Sequence, residues 1–304
     1  MTILVLGAGA GGGFPQWNCN CRNCRGVRSG TVRARPRTQS SIAVSSDSAN
    51  WALINASPDL LTQLKSLPQL QPARAMRDTG IRAVILVDSQ IDHTLGLAML
   101  REGARLEVYC TASVREDLTT GNPLLRMLES YCGVTWHEIR PVGGAPFGVP
   151  GVEGVEFTAV AVKSKAPPYS PHRETPQPGD NIALMMVNAV SGRSVFYAPG
   201  LAEIEPEVWR CMSRADCVMV DGTFWTDDEM IRLGAGRKRA LEMGHLAQSG
   251  EDGMLSWLKK LPHARKVLIH INNTNPILDE DSAQRRELER AGIEVAFDGM
   301  EISL

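Results

Sequence analysis

The sequence predicts a layered α+β sandwich, and three observations carry that expectation. Short apolar strand-like runs recur from end to end: Ile3–Leu6, Ser41–Val44, Trp51–Ile54, Ala83–Leu86, Leu106–Cys110, Val155–Val162, Ile182–Asn188, Ser194–Ala198, Cys217–Val220, Val267–His270 and Ile293–Phe297. Helical periodicity appears at Asp59–Leu67, Thr94–Glu102, Pro123–Cys132, Pro206–Arg214, Asp252–Leu261 and Ser282–Ala291. Strands cluster first and helices interleave later, which fits a layered sandwich better than a strict β-α-β array. Neither an internal repeat nor a long linker divides residues 1–304, so a single domain is expected.

The composition is that of an ordinary globular protein, and its net charge of −2 argues against broad attraction to nucleic acid or anionic membrane. The longest apolar runs, such as Val84–Val87 and Ile182–Val187, are too short to span a bilayer. Met1-Thr-Ile-Leu-Val-Leu6 lacks the basic start of a signal peptide and reads as a first buried strand. A cytoplasmic protein with reduced thiols is therefore expected. Four of the seven cysteines, Cys110, Cys132, Cys211 and Cys217, sit in apolar surroundings, and most of them read as small core residues.

The first strand runs into Gly7-Ala-Gly9-Ala-Gly-Gly12, a formal match to a dinucleotide fingerprint. That fingerprint needs a helix next and an acidic residue ending a second strand. Here Phe14-Pro15 and a cysteine cluster follow instead, so the glycines read as a tight turn bringing backbone close to a site. The cluster is Cys19-Asn-Cys21-Arg-Asn-Cys24. Three thiols in a polar segment make a poor core, whereas Zn²⁺ would hold them as thiolates in a structural site with a fourth ligand from elsewhere. Arg22, Arg25, Arg28, Arg33, Arg35 and Arg37 follow or interleave with it, over a loop of about residues 14–40. They read either as a solvated loop or, with Arg33, Arg35 and Arg37 as candidates, as bidentate contacts to an anionic substrate.

Between residues 163 and 181 five prolines, at 167, 168, 171, 176 and 178, forbid a central strand or helix. The segment reads as a binding loop or lid, or as a plain surface excursion. Upstream of it, Asp88-Ser-Gln90-Ile-Asp92-His93 follows the apolar strand Val84–Val87, placing Asp92 and His93 at a sheet edge. His270 ends Val267-Leu-Ile-His270 in the same way. Asp221, in Val220-Asp221-Gly-Thr-Phe-Trp225, and His245, in Met243-Gly-His245-Leu, share that setting. His137, His172 and His263 lack it and read as surface residues.

Together these motifs resemble the metallo-β-lactamase-fold superfamily, in the branch that includes tRNase Z and the carbon–phosphorus-lyase phosphodiesterase. Within it, the chain is similar over its whole length to a family of pyrroloquinoline quinone (PQQ) biosynthesis proteins. The resemblance rests on Leu4-Val-Leu-Gly-Ala-Gly-Ala-Gly-Gly-Gly-Phe-Pro-Gln-Trp-Asn-Cys-Asn-Cys21, Gln90-Ile-Asp92-His93, Val220–Trp225, Met243-Gly-His-Leu246 and Ile269-His-Ile-Asn-Asn-Thr-Asn-Pro276. It implies a four-layer αββα sandwich with a metal site at the sheet edges, rimmed by the glycine-rich and proline-rich loops.

The departures are informative. Hydrolases of the superfamily carry His-x-His-x-Asp-His; here Asp88 and Gln90 replace the first two histidines, and Pro199 stands where an aspartate usually bridges two metals. Two-metal activation of water is thereby disabled. Asp92, His93 and His270 remain, with Asp88 beside them, as the ligand set of non-haem Fe(II) oxygenases, though zinc, manganese or magnesium accept the same donors. The resemblance implies iron- and O₂-dependent hydroxylation of the cross-linked Glu–Tyr precursor cut from the PqqA peptide, or, as an alternative, carriage of PQQ or its precursor without turnover. His245, Asp221 and Gln90 become the catalytic candidates, His245 and Asp221 by analogy with a proton-donating pair. Counting three residues past His270, the position of a fourth zinc ligand in a relative, reaches Asn273; the ligand there is Asn273, a backbone group or water. The implied partners are a small polycarboxylate and other proteins of the same pathway, with homodimerisation left open.

Overall fold

The computed structural model describes residues 1–304. Its strands are β1 (Thr2–Gly7), β2 (Ser41–Ser45), β3 (Trp51–Ile54), β4 (Ile81–Ile85), β5 (Leu106–Cys110), β6 (Val134–Glu138), β7 (Val155–Ala161), β8 (Ile182–Asn188), β9 (Ser194–Ala198), β10 (Cys217–Asp221), β11 (Arg265–Ile269), β12 (Ile293–Val295) and β13 (Glu301–Ser303). They form two mixed sheets, β13-β1-β2-β3-β4-β5-β6 and β12-β11-β10-β9-β8-β7. The last strand returns to the first sheet and pairs antiparallel with β1, Ile3 opposite Ile302.

Period-two alternation explains the layering. Ile3, Val5, Ile42, Val44 and Ile54 face the other sheet and meet Val195, Tyr197, Met219, Val267 and Ile269. Their neighbours Leu4, Leu6, Ala43 and Leu53 face outward and are covered by Leu60, Leu97, Val114, Leu118 and Leu128 of the first helical layer. On the other side Phe196, Val218, Val220 and Leu268 are covered by Val208, Met212, Leu255, Leu258 and Leu288. Because both faces of both sheets are buried, the strands read as continuous apolar runs. The architecture is the four-layer αββα sandwich of the metallo-β-lactamase fold.

Several elements differ from the sequence-based expectation. Residues expected as one helix, Thr94–Glu102, form a short helix at Ile91–Thr94 and a 3₁₀ stretch at Leu95–Leu100. The cysteine loop contains a helix, Arg22–Ser29, whose N-cap is Cys21: its sulfur accepts from the Cys24 amide, and Gly30 ends the helix in the left-handed region. Of the four scattered cysteines, Cys110 and Cys217 are buried while Cys132 and Cys211 are only half-buried. No helix is long and apolar enough to cross a membrane.

One glycine sets the position of the Ile91–Thr94 helix. The Gly96 amide donates to the Ala56 carbonyl at 2.9 Å, and the Ala56 amide donates to the His93 carbonyl at 2.7 Å. A Cβ at Gly96 would lie 2.2 Å from the Ser57 carbonyl oxygen, so only glycine permits this approach. Gly96→Ala should therefore lower unfolding stability by about 1–3 kcal/mol, the usual cost of overpacking, measured by urea denaturation.

Candidate metal centre

The parallel strands β9, β10 and β11 end at one edge of the second sheet, delivering Pro199, Asp221 and His270 there. At the facing edge of the first sheet, β4 continues through Leu86-Val87 to Asp88, and the helix that follows carries Asp92 and His93. Crevices beyond the carboxyl ends of parallel strands are where such sheets bind ligands. Ligand atoms of Asp92, His93 and His270 lie within 4.8 Å of one another. The His270 Nε2 is 3.2 Å from Asp92 Oδ2, and the His93 and His270 rings meet edge to face. His270 adopts a left-handed φ of 60°, unusual for a residue with a side chain and a strain of the kind that collects at functional sites.

Each imidazole is held by its other nitrogen. His93 Nδ1 lies 2.8 and 2.9 Å from the two oxygens of Asp88. His270 Nδ1 is 2.9 Å from the Thr223 hydroxyl, and His245 Nδ1 is 2.7 Å from Asp221 Oδ2. The His93 Nε2 is buried and has no hydrogen-bond partner. An orphaned nitrogen converging with a second imidazole and a carboxylate fits a divalent cation. The electrostatics agree. Burial alone would raise the Asp92 carboxyl, but His93 and His270 hold it below the usual carboxylate range. Burial alone would lower His93, yet Asp88 and Asp92 push it up to about 9.

Beside this cluster, Asp221 is fully buried and accepts from the amides of Leu201 (3.2 Å) and Thr223 (2.9 Å). Burial would raise its carboxyl, but the adjacent His245 keeps it low. His245 stacks on His270 at 5.4 Å between ring centroids. The predicted rim is present: the Ala10 amide donates to the Ile271 carbonyl, and a Cβ at Gly11 would stand 3.3 Å from Asp92 Oδ2. On the other side, the Ile182 amide donates to the Val87 carbonyl at 2.8 Å, Ser164 Oγ donates to the Gly244 carbonyl, and the Tyr169 hydroxyl donates to the Ser89 carbonyl.

Some expected roles change with these contacts. Asp88 is not itself turned to the centre, because both of its oxygens face His93 Nδ1; it orients a ligand instead. Gln90 donates from Nε2 to the Lys165 carbonyl at 2.8 Å and so fastens the proline-rich loop. The arginines are committed elsewhere because residues 33–37 pack along the C-terminal segment. Arg33 pairs with Glu280 and Asp281; Arg35 pairs with Glu280 and covers the Phe297 ring. Arg37 is buried and donates to the carbonyls of Ala296 and Arg35, leaving it no access to a substrate. Thr223, whose hydroxyl touches Asp221, His245 and His270, had only its place in Asp-Gly-Thr to mark it, a common turn sequence.

The sulfurs of Cys19, Cys21 and Cys24 form a separate cluster within 4.8 Å, and Asp221, His245 and His270 form a third that shares His270 with the centre. Backbone amides of Gln16, Cys21 and Cys24 donate to these sulfurs at 3.4–3.5 Å, and the Asn273 amide donates to Cys24 Sγ at 3.3 Å. Burial pushes the Cys21 thiol up to about 12, so a thiolate there needs a cation. Asn273 stands at the position expected for the fourth ligand, but it turns its Nδ2 donor and not a ligating oxygen to the sulfurs, because Nδ2 is committed to Cys24 Sγ. The Asn23 side chain donates to the carbonyls of Asn273 and Asn275, so the cysteine helix is tied to the loop that follows His270.

These contacts make three outcomes measurable. Asp88→Asn should weaken metal binding at the Asp92–His93–His270 cluster roughly 10–100-fold, as loss of an orienting partner does, in a competition titration with a chelator. Because the metal must displace the proton on His93, affinity should climb as pH rises toward about 9; a flat profile would contradict this. Cys24→Ser should remove about one equivalent of zinc, read by elemental analysis, since closed structural sites need all their thiolates.

The family model of the β-lactamase superfamily domain matches residues 50–271. Coenzyme PQQ synthesis protein B of Azoarcus sp. (strain BH72) is 63% identical, with 100% of each chain covered. The crystal structure of Zn²⁺-bound PqqB from Methylobacterium extorquens superposes with a TM-score of 0.90 at 35% identity, covering 100% of both chains. A diphosphatase of the PhnP family shares the fold, with a TM-score of 0.67 at 20% identity over 99% of this chain and 96% of that one. Full-length similarity at this level, on the same fold, means that the chain belongs to the coenzyme PQQ synthesis protein B family of the β-lactamase superfamily.

Proposed function

We propose that this chain acts in PQQ biosynthesis as an O₂-dependent hydroxylase of the cross-linked Glu–Tyr precursor, with Fe(II) held by Asp92, His93 and His270. One observation carries the reading. Two imidazoles and one carboxylate converge, while the residues standing in for the superfamily's first two histidines and bridging aspartate, Asp88, Gln90 and Pro199, turn no donor to the centre. Asp88 is taken up by His93, Gln90 by the Lys165 carbonyl, and Pro199 has no donor side chain. Membership of a family named for PQQ synthesis supports the pathway.

Fe(II) held by Asp92, His93 and His270 would supply O₂ activation. The remaining work falls to protein groups. Nδ1 of His245 is held by the buried Asp221, which leaves Nε2 to take or return the proton of a phenolic substrate. The same carboxylate stabilises the imidazolium that forms. Gly11 keeps side-chain bulk away from Asp92, and the fastened proline-rich loop gives the site a rigid wall. The three cysteine sulfurs would hold a structural zinc as thiolates, with Asn273 Nδ2 donating to Cys24 Sγ beside it, bracing the loop that carries His270.

The test is anaerobic reconstitution with Fe(II), addition of the cross-linked Glu–Tyr dipeptide together with a two-electron reductant such as ascorbate, which carries the second oxygen atom to water, and admission of O₂, with product read by mass. Oxygen insertion with matching O₂ uptake is expected. His93→Ala and His270→Ala should each lose more than the roughly 10–100-fold typical of outer-shell partners. Absence of product and O₂ uptake, together with tight PQQ binding that survives both substitutions, would replace this reading with a carrier role.

A further inference from the structure

We infer that Thr223 is the positioning residue that selects which nitrogen of His270 is free for the metal, and that it joins the His245–Asp221 pair to the metal centre through one hydroxyl. The inference rests on the reading of Asp92, His93 and His270 as that centre. Thr223 is buried at the turn after β10, and its Oγ1 lies 2.6 Å from Asp221 Oδ1, 2.9 Å from His270 Nδ1, 2.9 Å from the His270 carbonyl and 3.2 Å from His245 Nδ1.

A hydroxyl has one hydrogen to donate and lone pairs to accept with. The carboxylate of Asp221 is both the nearest acceptor and the charged one, so the hydrogen goes there. The carbonyl of His270 is farther and neutral. With its hydrogen committed, Oγ1 can only accept from His270 Nδ1, which must then carry the proton. In neutral His270 that leaves the Nε2 lone pair free for a metal; the competing arrangement is an Nε2–H donated to Asp92 Oδ2 at 3.2 Å, and the Thr223 hydroxyl, nearer at 2.9 Å from Nδ1, is the group that opposes it. The opposite tautomer would set the Thr223 lone pair against a bare Nδ1 and put an N–H where the metal binds.

Asp221 therefore acts at two places. One oxygen orients His245, and the other, through Thr223, fixes the tautomer of His270. His93 needs no such relay, because Asp88 meets its Nδ1 directly. Thr223 supplies for the second imidazole, by acceptance from a neutral hydroxyl, what a carboxylate supplies for the first. The left-handed backbone at His270 turns that side chain toward both Thr223 and Asp92.

The experiment combines a tautomer readout with a metal titration. In ¹⁵N-labelled, metal-free protein at mildly alkaline pH, long-range imidazole spectra should show His270 protonated on Nδ1 in the wild type and in Thr223→Ser. Thr223→Val, which keeps the shape and removes the hydroxyl, should give Nε2–H or a mixture. Mn(II), a poor partner for thiolates and hence blind to the cysteine cluster, should bind Thr223→Val roughly 10–100-fold more weakly by electron paramagnetic resonance titration, with Thr223→Ser near wild type. A wild-type His270 protonated on Nε2 overturns the inference outright, with no dependence on how the variants fold. So does a folded Thr223→Val that keeps both the tautomer and the affinity. If Mn(II) fails to bind the wild type, the metal-centre reading falls, while the metal-free spectra still judge Thr223 alone.

Discussion

The bond between Asp88 and His93 Nδ1 is the constraint around which the centre is arranged. It pins one imidazole so that Nε2 converges with the ligand atoms of Asp92 and His270. The neighbouring histidines follow the same plan, each gripped by the nitrogen that does not face its task. Removing a gripping partner would leave the ligand present and misdirected, which explains why Asp88 matters although it is not turned to the centre.

The scaffold makes that arrangement rigid. The two sheets bury apolar side chains on both faces, and the strands that deliver Asp221 and His270 run parallel and side by side. Their register brings the ends of β10 and β11 to one level, so small differences in strand length become the spacing of ligands. The first sheet contributes its half through a close backbone contact, Gly96 against Ala56 and Ser57, which seats the short helix of Asp92 and His93. Glycine at that point exchanges conformational economy for proximity.

The cysteine segment is coupled to the centre without being part of it. Its helix begins on Cys21 and is fastened through Asn23 and Asn273 to the loop that starts at His270. Asn273 donates to sulfur where a histidine would give a lone pair, so the amide stabilises negative charge by hydrogen bonding. The arginines downstream brace the same region from outside by pairing with Glu280 and Asp281. Their charge is used to fix the C-terminal segment against the N-terminal loop.

The fold class, most strands and the identity of the clustered donors are determined by the sequence alone. Apolar runs at period two with both faces buried, ended by Asp or His, specify buried strands with chemistry at their tips, and three cysteines in six residues specify a thiolate cluster. Less legible were elements whose local signals are weak, such as β6, β13 and the helix inside the cysteine loop. Tertiary structure alone decided the division of labour among polar residues. Asp88 and Asp92 are the same side chain four positions apart, and only the seat of the helix makes one a gripping group and the other a donor. Arg37 and a substrate-facing arginine are likewise indistinguishable in sequence until the partner at Ala296 is brought beside it. Periodicity carries information about which face is buried, whereas a hydrogen bond depends on distance and angle between residues remote in the chain, and these exist only once the sheets have packed.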